Sequence, residues 1–227
     1  MKKTSAYFTA AEKLLWVISL LLIIVSFCLF DRENYLTLFA SIIGLTSLIL
    51  NAKGNPAGQV LMIIFSVFYG IISYRFSYYG EMITYLGMTA PMSVIALVSW
   101  IRNPYEGNKS EVSINTLGAR EVLFSFFLSA VVTIVFYFIL KYLNTSNLVP
   151  STISVFTSFL AVYLTFRRSA FYAVAYAAND IVLIVLWSMA AMYDISYVSV
   201  IICFVMFLIN DIYGYVNWTK MRLRQNT

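Results

Sequence analysis

Histidine is absent from this 227-residue chain, and charge is scarce: lysine, arginine, aspartate and glutamate together supply 11% of it. Without histidine no Ser/His/Asp or Cys/His relay can form. The two cysteines, Cys28 and Cys203, lie far apart inside apolar runs, too few for a zinc site, and read as packing residues rather than a disulfide. The stretch Gly54-Asn55-Pro56-Ala57-Gly58 lacks the Lys-Ser/Thr that a phosphate cradle needs, so it reads as a turn. No cofactor, metal or catalytic residue is expected.

What is present is apolar. The chain is 61% hydrophobic with a mean hydropathy of +0.83, whereas soluble domains carry about a quarter charged residues. A water-soluble fold of this length could not bury so much apolar surface. At roughly 20 residues per span and ~30 Å of hydrocarbon, there is room for seven or eight membrane helices and no soluble domain. Apolar runs bounded by charged or turn residues give eight: about 13–30, 35–51, 57–76, 80–101, 121–142, 152–166, 170–192 and 195–218. The first follows Lys2-Lys3, has no small-x-small cleavage site and precedes Asp31-Arg32-Glu33, so it is expected to be retained as a helix. The one sizeable loop is 102–120.

With both termini in the cytoplasm, twelve basic residues fall on that side and only Arg32, Arg75 and Lys141 opposite. The formal charge of +5 therefore reports topology. It excludes nucleic acid as the partner and leaves the lipid bilayer.

A shift of 118 residues lays Trp100 on Trp218, Tyr69 on Trp187, Tyr79 on Tyr197, Met88 on Met206, Ile63 on Ile181 and Arg102 on Lys220. An even number of spans separates the copies, so the repeat is parallel, and such repeats place substrate at their interface near the midplane. The expected organisation is an extra amino-terminal helix (1–34), a first three-helix bundle (35–101), a loop and linker helix (102–150), a second bundle (151–220) and a basic tail (221–227).

A charged side chain in mid-bilayer costs ~3 kcal/mol or more, so it is paired or faces a wet cavity. Asp180 and Asp211 are the two expected there, each after an asparagine and at similar depth on adjacent antiparallel helices, where one polar pocket can hold both. Helical spacing extends that pocket through Tyr172, Tyr176, Asn179 and Trp187, through Asn210, Gly214 and Asn217, and through Gln59, Ser66, Tyr69, Gly70 and Ser73. Two readings stand for most of them. Asn210, Gly214 and Asn217 serve a ligand or glue helices together, the two aspartates contact substrate or a neighbouring helix, and Trp100 and Trp218 form an interfacial belt by default. Trp187, away from both interfaces, is favoured for substrate. Gly80 and Pro91 mark a helix start and a kink. The candidate binding set is Gln59, Tyr69, Tyr176, Asn179, Asp180, Trp187, Asn210, Asp211, Tyr213 and Asn217.

The run Asn179-Asp180-Ile181-Val182-Leu183-Ile184-Val185-Leu186-Trp187, the ending Asn210-Asp211-Ile212-Tyr213-Gly214-Tyr215-Val216-Asn217-Trp218, Tyr79-Gly80-Glu81 and Trp100-Ile101-Arg102-Asn103 resemble the PnuC family of vitamin transporters over about residues 35–220. The resemblance implies an all-α fold similar to the SWEET carriers, three-one-three helices with one added at the amino terminus, and a homotrimer. It implies uptake of nicotinamide riboside by facilitated diffusion with trapping by a cytoplasmic kinase, as a step in NAD biosynthesis. Thiamine, riboflavin or a deoxynucleoside as cargo, and proton coupling through Asp180 or Asp211, are the alternatives within that class. A membrane-embedded enzyme and a binding-only receptor are the alternatives outside it.

Overall fold

The computed structural model describes residues 7–75 and 78–226, so the end of the third expected helix at Phe76 lies outside the described residues. Eight helical segments among the described residues are long and apolar enough to cross a membrane, and the protein is a multi-pass membrane protein. Helix α1 runs Ala10–Phe30, α2 Tyr35–Ala52 and α3 Ala57–Arg75. The fourth span, Tyr79–Arg102, divides into α4 (Tyr79–Ile83), a π-helical turn (Thr84–Thr89) and α5 (Ala90–Arg102). Then come α6 (Ala119–Tyr142), α7 (Leu148–Phe166), α8 (Tyr172–Ala191) and α9 (Val198–Gln225).

Several boundaries differ from expectation for identifiable reasons. Thr9 and Glu12 form a reciprocal capping box that starts α1 three residues early. Pro150 stands in the first turn of α7, where its missing N–H costs nothing, so that helix begins at Leu148 rather than 152. Pro91 withholds the N–H its own turn needs. The backbone just before it widens, and Ala90 N–H bonds to Tyr85 O, five residues back.

Part of the polar loop is ordered as a hairpin. Strand β1 (Pro104–Tyr105) pairs antiparallel with β2 (Asn108–Val112) across Glu106 and Gly107, both at positive φ. It lies on the face where both described chain ends sit, here termed the terminal face. Val112 N–H donates to Gly54 O at 3.0 Å, Asn115 N–H to Arg168 O at 2.9 Å and Ile114 N–H to Gln225 Oε1 at 2.7 Å. Arg224 pairs with Glu111 beside them.

Helices α2 and α3 and the fourth span pack as one group, α7, α8 and α9 as another. The last helix of each lies against the first helix of the other, α9 on α2 and α5 on α7. Helix α1 covers α2 and α9, and α6 packs chiefly on α7. Both present apolar flanks outward, Leu14, Leu21 and Leu29 on α1 and Leu123, Phe127 and Phe138 on α6, as a bilayer requires. Inside, small residues let backbones approach. Many hydroxyls, such as those of Ser41, Ser66, Ser129 and Thr165, bond to the carbonyl four residues back, which satisfies them within their own helix.

Near the terminal face a bracket joins α2 to α3: Gln59 Nε2 donates to Asn51 Oδ1 at 2.9 Å, and Ser47 Oγ to Gly58 O at 2.8 Å. A Cβ on Gly58 would stand 2.2 Å from Asn51 Oδ1, whereas one on Gly214 meets nothing nearer than 3.5 Å. Gly58→Ala is therefore expected to destabilise by ~1–3 kcal/mol through overpacking, and Gly214→Ala to stay within ~0.5 kcal/mol of the parent. Thermal unfolding in detergent measures both; equal melting temperatures for the two variants would contradict the bracket.

Candidate functional site

The two helix groups meet on an aromatic seam. Trp187, on α8 and fully buried, donates its indole N–H to Tyr69 Oη of α3 at 2.6 Å. Tyr69 also lies 4.3 Å from the ring of Tyr85, which the π turn carries inward, and 5.6 Å from that of Phe204. Toward the far face, Trp187 packs on Tyr78 at 4.9 Å and Tyr197 at 5.4 Å. Burial pushes the Tyr78 phenol above its usual range, with Tyr197 adding to the effect and Asn147 opposing it, so Tyr78 stays neutral.

At the terminal end a second aromatic pair closes the seam. Trp100 and Trp218 stack at 5.4 Å, both with no exposed surface. Trp100 Nε1 donates to Thr165 O at the end of α7, and Trp218 Nε1 to Asn51 O at the end of α2. The interfacial belt expected of these tryptophans is thus corrected: their N–H groups satisfy helix-end carbonyls of the opposite group instead of water. Tyr172 packs on Trp218 at 4.8 Å beneath them.

Between the two seals lie polar groups. Asn179 Oδ1 accepts from Thr157 Oγ1 at 2.8 Å and Ser158 Oγ at 2.9 Å, both on α7. Asp180 and Asp211, each 4% exposed, turn their carboxyl groups toward one another within hydrogen-bonding reach. Such a bond needs a proton on one of them. Tyr176 lies near both. Three further carboxyls, nearer the span ends, are buried as well: Glu81, Glu12 and Asp31, at 0%, 1% and 5% exposed. Glu12 is fully engaged by Lys53 Nζ at 3.0 Å, Tyr213 Oη at 2.7 Å and Thr9 N at 2.7 Å. Glu81 is not: its polar neighbour is Ser154, and among the described residues neither carboxyl oxygen has a well-formed hydrogen bond.

Of the ten candidate residues, the structure brings Tyr69, Tyr176, Asn179, Asp180, Trp187 and Asp211 together on the seam. It places the other four away from it. Gln59 belongs to the α2–α3 bracket, Asn210 Nδ2 reaches Ser19 Oγ of α1 at 3.2 Å, Tyr213 holds Glu12, and Asn217 Nδ2 caps α2 at Ala52 O, 2.7 Å away. Tyr85 and Glu81, which the candidate set omits, are buried beside the seam. A signal existed for each, Pro91 forecasting a widened turn near Tyr85 and Glu81 closing the motif Tyr79-Gly80-Glu81.

A family model described as nicotinamide mononucleotide transporter matches residues 34–220. The nicotinamide riboside transporter PnuC of Neisseria mucosa is 26% identical over 215 residues, 93% of this chain and 82% of that protein. The protein of that name from Haemophilus influenzae is 23% identical over 195 residues, 86% of this chain and 83% of its own. A crystal structure of the vitamin B3 transporter PnuC superposes with a TM-score of 0.83 at 25% identity, covering 96% of this chain and 94% of that one.

The carboxyl pair can be tested by shape-conserving substitution. Asp180→Asn retains a donor for Asp211 and is expected to unfold near the parent temperature, whereas Asp180→Ala strands a buried carboxyl and is expected to cost ~1–3 kcal/mol. Identical thermal curves for the two variants would show that the aspartates do not engage each other.

Proposed function

The chain belongs to the PnuC family, whose model is described as nicotinamide mononucleotide transporter, and we propose that it carries nicotinamide riboside into the cell. Transport is facilitated diffusion, and phosphorylation by a cytoplasmic kinase traps the product. Both termini face the cytoplasm of a bacterial inner membrane, in keeping with twelve basic residues on that side. The working unit is a homotrimer, for which the bare apolar flanks of α1 and α6 leave room.

The observation that carries this reading is the Trp187–Tyr69 hydrogen bond at the meeting of two helix groups, beside Asn179 and the carboxyl pair. Flat aromatic faces suit a pyridinium ring, and amide, hydroxyl and carboxyl groups suit a ribose and a carboxamide. The groups at 35–101 and 151–220 act as the two halves of a parallel repeat. In support, two pairs aligned by the 118-residue shift, Tyr69 with Trp187 and Trp100 with Trp218, are in contact, as residues on a shared axis must be. Access alternates when one half rocks against the other, parting one aromatic seal while the other holds.

The family model and the curated relatives carry different cargo names, mononucleotide and riboside. Electrostatics favours the riboside. Among the described residues the buried charged side chains are Glu12, Asp31, Glu81, Asp180 and Asp211, all acidic, and a phosphate finds no cation there to neutralise it. A second reading, proton-coupled carriage, is favoured by the Asp180–Asp211 contact. It predicts that an uncoupler alone abolishes uptake while the kinase still has ATP.

Uptake of labelled nicotinamide riboside into proteoliposomes is expected to equilibrate without added energy, and the mononucleotide to compete poorly. Trp187→Ala is expected to weaken riboside binding by about tenfold or more, with Trp187→Phe between it and the parent. Tight mononucleotide binding, or unchanged affinity in Trp187→Ala, would overturn the corresponding part of the proposal.

A further inference from the structure

Glu81 has the most unusual surroundings of any ionisable group in the protein. It sits on α4, just before the π turn, with no exposed surface. Its polar neighbour is the Ser154 hydroxyl of α7, and Tyr85, four residues further along the same span, shares one buried cluster with Tyr69 and Tyr78. Neither of its oxygens has a well-formed hydrogen bond among the described residues, and the hydroxyls of Ser73, Thr84 and Thr145 are likewise buried without partners. Three ion pairs form among those residues, Lys53–Glu12, Arg167–Glu121 and Arg224–Glu111, and Glu81 is in none of them. The other buried acids behave differently. Glu12 has a lysine and a tyrosine, Asp31 accepts from Asn34 Nδ2, and Asp180 and Asp211 have each other.

A carboxyl group in such a place takes up a proton or a cation, because an isolated charge in a low-dielectric interior is too costly to persist. The buried cluster that Tyr85 joins contains the faces best able to hold a flat cation: Tyr69 and Tyr85 at 4.3 Å, with Trp187 bonded to Tyr69. We infer that Glu81 is the charge-selecting residue of the transport site, supplying the negative partner for a cationic aromatic ring held by Tyr69, Tyr85 and Trp187. The inference rests on the riboside reading above and sharpens it: what is selected is the positive charge of an N-glycosylated pyridinium, not the ribose alone. Asp180 and Asp211 are less suited to that role, since each carboxyl has the other as its neighbour, whereas Glu81 has no such neighbour among the described residues.

Reduction separates charge from shape. Nicotinamide riboside is a cation, and its dihydropyridine form is neutral with the same ribose and carboxamide. Calorimetry on the purified full chain is expected to show the parent preferring the cation by at least ~10-fold. Glu81→Gln, close in shape, is expected to remove most of that preference by weakening the cation while leaving the dihydro form within about twofold. Equal affinity of the parent for the two ligands overturns the inference, and this comparison needs no variant. A Glu81→Gln protein that weakens both ligands alike also overturns it, because a ribose contact or a structural role gives that pattern. Should Glu81→Gln not fold, Glu81→Asp keeps the charge one methylene shorter, and a retained preference for the cation in that variant supports the assignment. A parent protein that binds neither riboside overturns the carrier reading itself, a result distinguishable from the others.

Discussion

Hydrocarbon offers no hydrogen bonds, so each polar group that enters it must find a partner within the protein. That constraint accounts for most of the side-chain bonding seen here. Hydroxyls fold back on their own helices. Amides bridge neighbours, Gln59 to Asn51 and Asn217 to Ala52 O. Helix-end carbonyls are met by indoles, Trp100 on Thr165 and Trp218 on Asn51. Glu12 satisfies its charge among Lys53, Tyr213 and Thr9. Where the rule is obeyed, helices are fixed to one another. Where it lapses among the described residues, at Glu81, Ser73, Thr84, Thr89 and one oxygen of Asp180, and also away from them at Asn210, Thr145, Arg167 and Arg168, polar atoms are buried without a hydrogen-bond partner. Glu81 stands out because both of its carboxyl oxygens are left so.

The constraint also explains which candidate residues left the site. Asn210, Tyr213 and Asn217 share a helix and a polar stripe with Asp211, and helical spacing alone cannot tell which neighbour such a stripe meets. It meets α1 and α2, and α1 has no counterpart in the second helix group. An added helix is an added demand for polar contacts, met by Ser19 and Glu12. Eight spans were legible from hydropathy, and Trp187, Tyr69 and the aspartates from their cost in lipid. Glu81 was legible as part of the motif Tyr79-Gly80-Glu81 but its burial was not, because its place near the start of a span resembles an interfacial acid until the packing of α4 against α7 is known. The hairpin was hidden for a similar reason: Glu106-Gly107 reads as a loop, and only Gly54, Arg168 and Gln225, distant in sequence, make it a clasp.

The π turn joins local sequence to this arrangement. Pro91 removes one N–H, the preceding carbonyls shift register, and Thr84–Thr89 widens by one residue per turn. Tyr85 is thereby carried toward Tyr69, while Leu86 is pressed against Gly70, where a Cβ would come within 2.5 Å. The fourth span thus has a built-in discontinuity beside the site, and a hinge is most useful there, where a small change in winding moves an aromatic wall.

Under the proposed duplication, the two kinds of site residue obey different symmetry. The sealing aromatics come in matched pairs, Trp100 with Trp218 and Tyr69 with Trp187. The polar residues do not: the same shift sets Asp180 on Met62, Asp211 on Ser93, Asn179 on Leu61 and Glu81 on Ser199. Each division has a physical cause. A seal between two halves related by an axis forms where equivalent positions meet, so both copies must keep a large flat side chain. A small solute has no such axis, and its ring and its sugar demand different chemistry from the two walls. Closure favours the repeat and a small ligand does not, so on the proposed reading the aromatic pair Tyr69 and Trp187 gives both halves a flat wall, and the polar positions that depart from the repeat tell one end of the solute from the other.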